Sequence, residues 1–277
     1  LTAAGYPDER FMDFWPADVH LIGKDILRFH AVYWPSMLLS AGLPLPKKIF
    51  AHGWWTVEGQ KMSKSLGNVV SPNEMVDIFG VDAFRYFLLR EVPFGLDGDF
   101  SKSALTGRIN GDLANDLGNL LSRTLAMVVK YLNGEVIKSA SLDSSDNNLR
   151  DTVITSIRKL ETSMEELAFS KALTAVWDVL ARANKYVDEM SPWTLAREPQ
   201  KKGRLVSVLY NCLEILRVSA VLIYPFMPAS AENIWRQLGI EKDISKIDFD
   251  EEIRWGGLKE GAMLKKGEHL FPKMEGV

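Results

Sequence analysis

The chain has 277 residues, 47% of them hydrophobic, and carries a formal net charge of −3. This length suits two unequal domains. The single cysteine, Cys212, excludes a disulfide framework and a multi-cysteine zinc site within the chain. A slightly acidic chain does not have the basic surplus that nucleic-acid binding usually shows, so any RNA contact would have to rest on a local basic surface.

The start of the chain, residues 1–5, has neither the basic flank nor the apolar stretch of a signal peptide. The sequence also shows no evident apolar run of membrane-spanning length. We therefore expect a protein of the reducing cytoplasm without membrane contact. Because Leu1 is not an initiator methionine, we also expect an upstream part of the protein to precede it.

The first third of the chain alternates strand and helix signals. Residues 18–23 form a short apolar run that ends in glycine, as buried parallel strands do. The apolar spacing over residues 25–40 predicts a helix that Gly42 ends, and residues 49–57 predict a second strand. Strand, helix and strand in this order indicate an open parallel sheet, whose ligands bind beyond the carboxyl ends of the strands.

After Gly67 the strand signals give way to helices. A capping box over residues 71–74 opens one helix, a second is expected over 82–90, and residues 92–99 form a turn-rich candidate linker. From Lys102 onward, long amphipathic stripes predict four or five helices in an antiparallel bundle, with a polar loop over 141–148. The predicted fold class is therefore α/β followed by all-α. The indole and phenol rings of Trp177, Tyr210 and Trp235 are expected in the helical core.

One pentapeptide carries the clearest chemical signal. Residues 61–65 read Lys-Met-Ser-Lys-Ser, lie between Gly59 and Gly67, and follow the second predicted strand. Lys61 and Lys64 would give a flexible loop two mobile ammonium groups, which suit the oxygens of a phosphate chain. A solvated surface loop is the plainer interpretation. The position at the carboxyl end of a parallel sheet favours a phosphate-binding loop.

This pentapeptide resembles the signature of class I aminoacyl-tRNA synthetases, and its surroundings resemble the methionine-specific family in particular. The similar segments are residues 14–26, 30–35, 52–57 and 270–273. The resemblance implies the end of a Rossmann-like catalytic domain over residues 1–67, a helical connector that contacts the tRNA stem over 68–101, and a helix-bundle anticodon-binding domain over 102–277. It implies activation of methionine with ATP and Mg²⁺, and transfer of the methionyl group to tRNA(Met).

The resemblance also implies roles for individual residues of the first domain. Lys64, assisted by Lys61, would contact the ATP phosphates, and further ATP contacts would come from Gly23, Asp25, His52, Trp55 and Ser63. Ile26, His30 and Trp34, which share a helical face, would line the methionine pocket. The residues alone leave other interpretations open, since Asp25 could cap a helix and His30 and Trp34 could belong to the core.

In the helical part, the resemblance implies an anticodon site of residues that are far apart in the sequence. Asn119 and Arg123 would donate hydrogen bonds, while Trp193, preceded by Pro192, would stack on an unpaired base of the CAU anticodon. Taken alone, Asn119 and Arg123 suit a solvated helix face and Trp193 an anchor between helices. A run of basic residues could form the local basic surface there: Lys185, Arg197, Lys201, Lys202 and Arg204.

The chain departs from the family pattern in one respect that matters for activity. The other class I signature, a His-Ile-Gly-His type of element, does not occur in these 277 residues, and neither does a zinc-bearing insertion. We therefore expect the chain to need an upstream catalytic half and to be inactive alone. Two alternatives stay open: a sister class I enzyme for another amino acid, and a non-catalytic module of helices that binds tRNA.

Overall fold

The structure, a computed structural model, describes residues 1–138, 143–265 and 267–275, with the backbone but not the side chain of Lys64. It divides into two compact units. The first comprises Leu1–Val69 and Val92–Phe100, and the second comprises Val70–Glu91 and Ser101–Val277. The first unit holds the strands and the second is helical, so the predicted fold class is confirmed.

The first unit contains the predicted parallel pair of strands. Strand β1 (His20–Gly23) pairs in parallel with β2 (Ile49–His52), and Gly23 lies opposite His52 in the register. The two carboxyl ends therefore lie side by side, as the strand–helix–strand pattern predicts. A small cluster of Phe11, Trp15 and Leu38 forms the core of this unit.

The helix between these strands is less regular than predicted. A 3₁₀ turn at Lys24–Ile26 leads into a π-helical segment, Phe29–Tyr33, before the α-helix α1 (Trp34–Ser40). Pro35 has no N–H group for a hydrogen bond to the preceding turn, which accounts for the wider turn at this point. Gly42, with a φ of 68°, follows the helix end as predicted.

The predicted second strand is two strands in the structure. β2 stops before Gly53, where the backbone of Leu96 approaches so closely that any side chain would overlap it. β3 (Trp55–Val57) then begins a second sheet, pairing antiparallel with β4 (Gln60–Lys61) and parallel with β5 (Gly98–Asp99). The segment predicted as a linker, residues 92–99, thus supplies a strand of the first unit. Residues 70–91, the helical part of the predicted connector, belong to the second unit.

The second unit begins with short helices, two of which are capped by serine side chains. Ser71 accepts a hydrogen bond from the N–H of Glu74, as predicted for the start of α2 (Pro72–Phe79). Helix α3 (Val81–Arg90) follows, and Ser101 caps α4 (Lys102–Arg108). A π-helical segment, Ile109–Gly118, then joins α4 to α5 (Asn119–Leu132) without a break.

Long helices make up the rest of this unit, which confirms the predicted bundle. They are α6 (Ser144–Glu165), α7 (Phe169–Met190), the short α8 (Pro192–Leu195), α9 (Lys202–Ile223), α10 (Pro228–Gln237) and the short α11 (Phe249–Glu252). The polar loop predicted over residues 141–148 is wrong in its second half. Asp143 and Asp146 form a reciprocal cap that starts α6 at Ser144, whereas residues 141 and 142 lie outside the described part of the chain.

Helix α9 is the centre of the second unit, since it is buried throughout from Leu205 to Ile223. The segment Pro199–Ile223 is long and apolar enough to cross a membrane, which the sequence analysis overlooked, but its apolar window is entirely buried inside the protein. It is therefore a core helix in this structure. Trp177, Tyr210 and Trp235 are buried, as predicted.

A buried ion pair on α9 holds the chain that follows α11. Glu214 and Arg217 lie 2.8 Å apart and are almost completely buried. The Glu214 carboxylate also accepts hydrogen bonds from the backbone N–H groups of Gly256, Gly257 and Leu258. Arg217 donates to the carbonyl oxygen of Arg254. Each buried charge is thus surrounded by partners of opposite polarity, as burial of a charge requires.

We expect Glu214→Ala to lower the free energy of unfolding by about 3–5 kcal/mol, because the change leaves Arg217 buried without its counter-ion. Urea denaturation followed by circular dichroism measures this loss. Glu161→Ala, the same change on the exposed face of α6, is the control and should stay within about 0.5 kcal/mol of the unchanged protein. Equal losses in the two variants would contradict the role of the buried pair.

Candidate functional site

The first candidate site lies at the carboxyl ends of β1 and β2. A Cβ atom added to Gly23 would lie 2.6 Å from Oδ1 of Asp25 and 4.0 Å from Cε1 of His52. Glycine therefore leaves the space that the Asp25 carboxylate occupies beside the end of the strand. The His52 ring stacks on Phe94, with centroids 5.9 Å apart, and its Nδ1 donates to the carbonyl oxygen of Gly53.

Trp54, which the sequence analysis did not select, connects the charged groups at this edge. Its Nε1 donates to Oδ1 of Asp25 at 3.3 Å. The Nζ atoms of Lys24 and Lys61 lie 4.2 and 4.3 Å from the centroid of its ring. Lys24 also pairs with Asp97 at 2.6 Å. Cation–π contacts of this kind hold ammonium groups near an aromatic face, so Trp54 gathers two cations and a carboxylate in one place.

The hydrogen bond from Trp54 lowers the pKa of Asp25, and the charges of Lys61 and His52 act in the same direction. The hydrogen bond from Lys24 likewise lowers the pKa of Asp97. Both carboxylates are therefore ionised at neutral pH. An ionised carboxylate only accepts hydrogen bonds, and it suits a ligand that presents hydroxyl donors, such as a sugar.

The lysine-bearing loop is held by Asn68, another residue that the sequence analysis missed. The N–H of Ser63 donates to the side-chain oxygen of Asn68 at 2.8 Å, and the Asn68 amide donates to the carbonyl oxygen of Lys61 at 3.3 Å. The hydroxyl groups of Ser63 and Ser65 are 2.7 Å apart. A 3₁₀ turn follows at Lys64–Leu66. The side chain of Lys64 lies outside the described residues, so its direction stays a prediction.

The side chains of the neighbouring residues Trp54 and Trp55 point in different directions. The ring of Trp55 lies against Gly98, where an added Cβ would come within 3.1 Å of a ring carbon. Trp54 instead contacts Asp25. Adjacent residues of an extended chain point to opposite sides, and this alternation was the signal available in the sequence for separating the two roles.

Two of the three residues predicted for an amino-acid pocket line one cavity. His30 and Trp34 border an open cavity of about 420 Å³, together with His20, Phe29, Tyr33 and Met37. The third, Ile26, lies one turn earlier, is 38% exposed, and accepts a hydrogen bond through its carbonyl oxygen from Nδ1 of His30 at 3.0 Å. The cavity is mainly aromatic, which suits an apolar side chain.

His20, at the start of β1, is a member of this cavity that sequence reasoning missed. Its Nδ1 is buried and has no hydrogen-bond partner among the described residues. Burial lowers the pKa of His20, and the nearby charge of His30 lowers it further. The ring is therefore neutral at physiological pH.

Trp54→Phe should raise the pKa of Asp25 toward its ordinary value, because the change removes the Nε1 donor that stabilises the ionised carboxylate. NMR titration of the side-chain carboxyl carbons measures this pKa. Asp99, whose pKa is held low mainly by the N–H of Gly59 and the hydroxyl of Thr56, is the internal control and should not shift. An unchanged Asp25 titration would show that the indole does not set its charge.

The second candidate site lies in the helical unit and joins two residues far apart in the sequence. The Arg123 guanidinium pairs with Asp188 at 2.9 Å and lies 6.0 Å from the ring centroid of Trp193. Trp193 is 39% exposed, which is a large fraction for tryptophan, while Pro192, the first residue of α8, is buried. Asn119 is exposed one helical turn before Arg123.

This arrangement offers an accessible indole face beside an oriented guanidinium. Aromatic side chains stack on unpaired RNA bases, and neighbouring polar groups read the edges of the bases. Asn119 borders a separate cavity of about 430 Å³ that residues 269–273 also line. Arg123 and Trp193 therefore form the pair in contact, with Asn119 on the adjacent turn.

The basic surface predicted around Trp193 is smaller than the run of residues indicates. Arg204 pairs with Asp146 at 2.5 Å and with Asp143 at 2.9 Å, so it belongs to the internal structure. Lys201 pairs with Glu198, and Lys185 pairs with Glu189. Arg197 and Lys202 are exposed. Sequence proximity to Trp193 could not reveal these acidic partners. Among the described residues, no group of three or more His, Cys, Asp or Glu is placed to hold a metal ion.

Comparison with protein families matches both parts of the chain. Residues 2–125 match the family described as "tRNA synthetases class I (M)", and residues 136–276 match "Anticodon binding domain of methionyl tRNA ligase". The first match includes the edge with Gly23 and Asp25, and the second includes Trp193.

Similar complete proteins include the methionine–tRNA ligases of Caldanaerobacter subterraneus subsp. tengcongensis, 54% identical over 99% of this chain, and of Bacillus subtilis, 47% identical over 99%. The chain covers 43% and 42% of these proteins, so it spans less than half of their length. A solved Mycobacterium tuberculosis methionyl-tRNA synthetase in complex with methionyl-adenylate superposes with a TM-score of 0.92 at 44% identity, over 98% of this chain and 53% of that one.

Proposed function

We infer that this chain works as the later part of an enzyme that joins methionine to tRNA(Met) with ATP, because it belongs to the methionyl-tRNA ligase family. The observation that carries this proposal is the convergence of Lys24, Lys61 and Asp25 on Trp54 at the carboxyl ends of β1 and β2. Parallel sheets bind nucleotides at this edge.

The proposed reaction has two steps. The methionine carboxylate attacks the α-phosphate of ATP, which forms methionyl-adenylate and releases pyrophosphate. The terminal ribose hydroxyl of the tRNA then attacks the methionyl carbonyl carbon, which forms the ester, breaks the anhydride bond and releases AMP and the hydroxyl proton. Neither step needs a protein nucleophile, so the chain contributes positioning and charge stabilisation. Mg²⁺ would accompany ATP as part of the substrate.

We propose that the residues of the first unit divide this work by their chemistry. The ionised Asp25, for which Gly23 leaves space at the end of β1, accepts hydrogen bonds from the ribose hydroxyls. His52 and the backbone of Trp55 lie on the adenine side, since the Trp55 ring lies against Gly98. Lys61, Ser63 and Lys64 hold the phosphates from the loop, and the negative charge that grows on the leaving pyrophosphate is stabilised by the two ammonium groups.

The methionine side chain would enter the aromatic cavity lined by His30 and Trp34, beside Ile26. Recognition of an unbranched apolar chain with a polarisable sulfur suits aromatic walls. A sister class I enzyme for another aliphatic amino acid would differ in the shape of this cavity. Pyrophosphate exchange with a panel of amino acids therefore decides between the two, and preference for another amino acid would remove the methionine assignment.

We propose that the upstream half of the enzyme completes this site by covering the first unit. The unit exposes many large apolar side chains, which a finished domain would bury: Met12, Phe14, Leu21, Phe29, Val32, Met37 and Leu39. Its parallel sheet has two strands, fewer than an independent nucleotide-binding sheet needs. Without the upstream half we expect no activation of methionine.

In the helical unit, we propose that Trp193 stacks on an unpaired anticodon base while Arg123 and Asn119 donate hydrogen bonds, with Pro192 fixing the start of α8. The Asp188 carboxylate supports this role because it orients the guanidinium beside the indole. A non-catalytic RNA-binding module would keep this site and would not depend on the lysine loop. We propose the cytoplasm as the compartment, since it is the main place of protein synthesis.

Lys64→Ala in the complete enzyme should lower kcat for ATP–pyrophosphate exchange by roughly 100- to 1,000-fold, because it removes a charge that stabilises the departing pyrophosphate. Lys47→Ala, which removes an exposed lysine paired with Asp18, is the matched control and should leave the exchange rate unchanged. Unchanged exchange in the Lys64 variant would favour the non-catalytic alternative.

Trp193→Ala should weaken tRNA binding roughly 5- to 150-fold, the equivalent of about 1–3 kcal/mol for one stacked base. Filter binding measures the Kd, and the tRNA-independent exchange of pyrophosphate should not change. Trp193→Phe keeps an aromatic face and should retain most of the affinity. If the alanine and phenylalanine variants bind tRNA as well as the unchanged enzyme does, the indole is not part of the anticodon site.

A further inference from the structure

A groove between α6 and α7 has a local positive charge, although the net charge of the whole chain is negative. It is an open cavity of about 570 Å³. Its lining includes the exposed cations Arg158, Lys159 and Lys171, for which the described part of the chain supplies no ion-pair partner. Asp178 is the one acidic residue of the lining. Three positive charges against one negative charge leave a surplus of two, on a chain whose net charge is −3.

Both helices contribute to the groove with regular spacing. On α6, Thr155, Arg158 and Thr162 follow one another at three- and four-residue intervals, which places them on one face. Lys171 and Thr174 occupy the matching face of α7. Each helix is 22 residues long and the two pack closely together, so the cations stand on a stiff frame and not on a loop.

The chemistry of this lining fits a phosphodiester chain better than a protein surface. Arginine, lysine, serine and threonine side chains are the groups that hold phosphate oxygens in nucleic-acid complexes. A protein partner would need aromatic or large apolar anchors in the centre of its contact. Ala175 is the apolar member of the described lining, and the other members are charged or carry hydroxyl groups.

We propose that this groove binds the phosphate backbone of the same tRNA whose unpaired bases are held at Arg123 and Trp193, an inference that rests on the proposed function. Lys171 and Lys185 are separated by fourteen residues, or four turns, on one face of α7. Asp188, the partner of Arg123, lies about 25 Å along this helix from Lys171. Helix α7 therefore connects a place that reads bases with a place that holds the backbone.

The test uses the complete enzyme with Arg158, Lys159 and Lys171 all changed to glutamine. The Kd for tRNA should rise about tenfold near 0.1 M salt, and the salt dependence of log K should become shallower by about two units, since each phosphate contact contributes about 0.7–0.9. The preference for the matching anticodon over an altered one should not change, because phosphate contacts carry no sequence information.

A matched control removes one arginine and two lysines elsewhere on the helical unit, with the exposed Arg236, Lys102 and Lys259 changed to glutamine. This variant should keep the salt dependence of the unchanged enzyme. Equal behaviour of the two triple variants would overturn the proposal. If Trp193→Ala weakens binding and the groove variant does not, the groove inference alone fails; if neither variant does, the proposed tRNA function fails as well.

Lysine acylation followed by mass spectrometry is a second test of the proposal, and it uses the unchanged enzyme. Bound tRNA should protect Lys159 and Lys171 from acylation, and inorganic pyrophosphate at millimolar concentration should not. Equal protection by pyrophosphate would identify a site for small anions and would overturn the backbone contact. Absence of protection by tRNA would overturn it too.

Discussion

The chemistry of the first unit depends on how the chain leaves strand β1. Since Gly23 has no side chain, the Asp25 carboxylate can lie beside the end of the strand, where it accepts a hydrogen bond from Trp54. The same indole attracts the ammonium groups of Lys24 and Lys61. Gly23 thus leaves space for the Asp25 carboxylate next to the indole that attracts the two cations, and the proposed binding of ribose and phosphates rests on this arrangement.

In the helical unit, the indole of Trp193 is exposed to solvent on a well-packed set of helices. Its central helix, α9, is buried and carries the pair Glu214 and Arg217, whose partners are backbone groups of the following chain. Removing one partner of a buried ion pair is costly, so this pair fixes the arrangement of the segments around it. Trp193 and Arg123 lie on this set of helices, and the exposed indole is where we propose that an unpaired base stacks.

The sequence predicted the fold class, the parallel pair of strands, the caps at Ser71 and the core rings correctly, because periodicity and capping chemistry are local properties. It missed the break at Gly53, where the chain closely approaches Leu96, a residue far along the sequence. The sequence predicted a loop where Asp143 and Asp146 start a helix, because the polar residues that form a reciprocal cap are also common in loops.

The candidate sites show the same limit. Lys61 was predicted from the motif and Asp25 from the family resemblance, and their roles stay predictions. Trp54, Asn68 and His20 were missed because their contacts form only in the folded chain. The expected basic surface near Trp193 failed for Arg204, because acidic residues distant in sequence pair with it.

The most direct measurement of the central claim is a crystal structure of the complete enzyme with a non-hydrolysable ATP analogue. The account predicts the ribose hydroxyls within about 3 Å of the Asp25 carboxylate and the Nζ atoms of Lys61 and Lys64 within the same distance of phosphate oxygens. A nucleotide bound away from the carboxyl ends of β1 and β2, with both lysines in solvent, would contradict it.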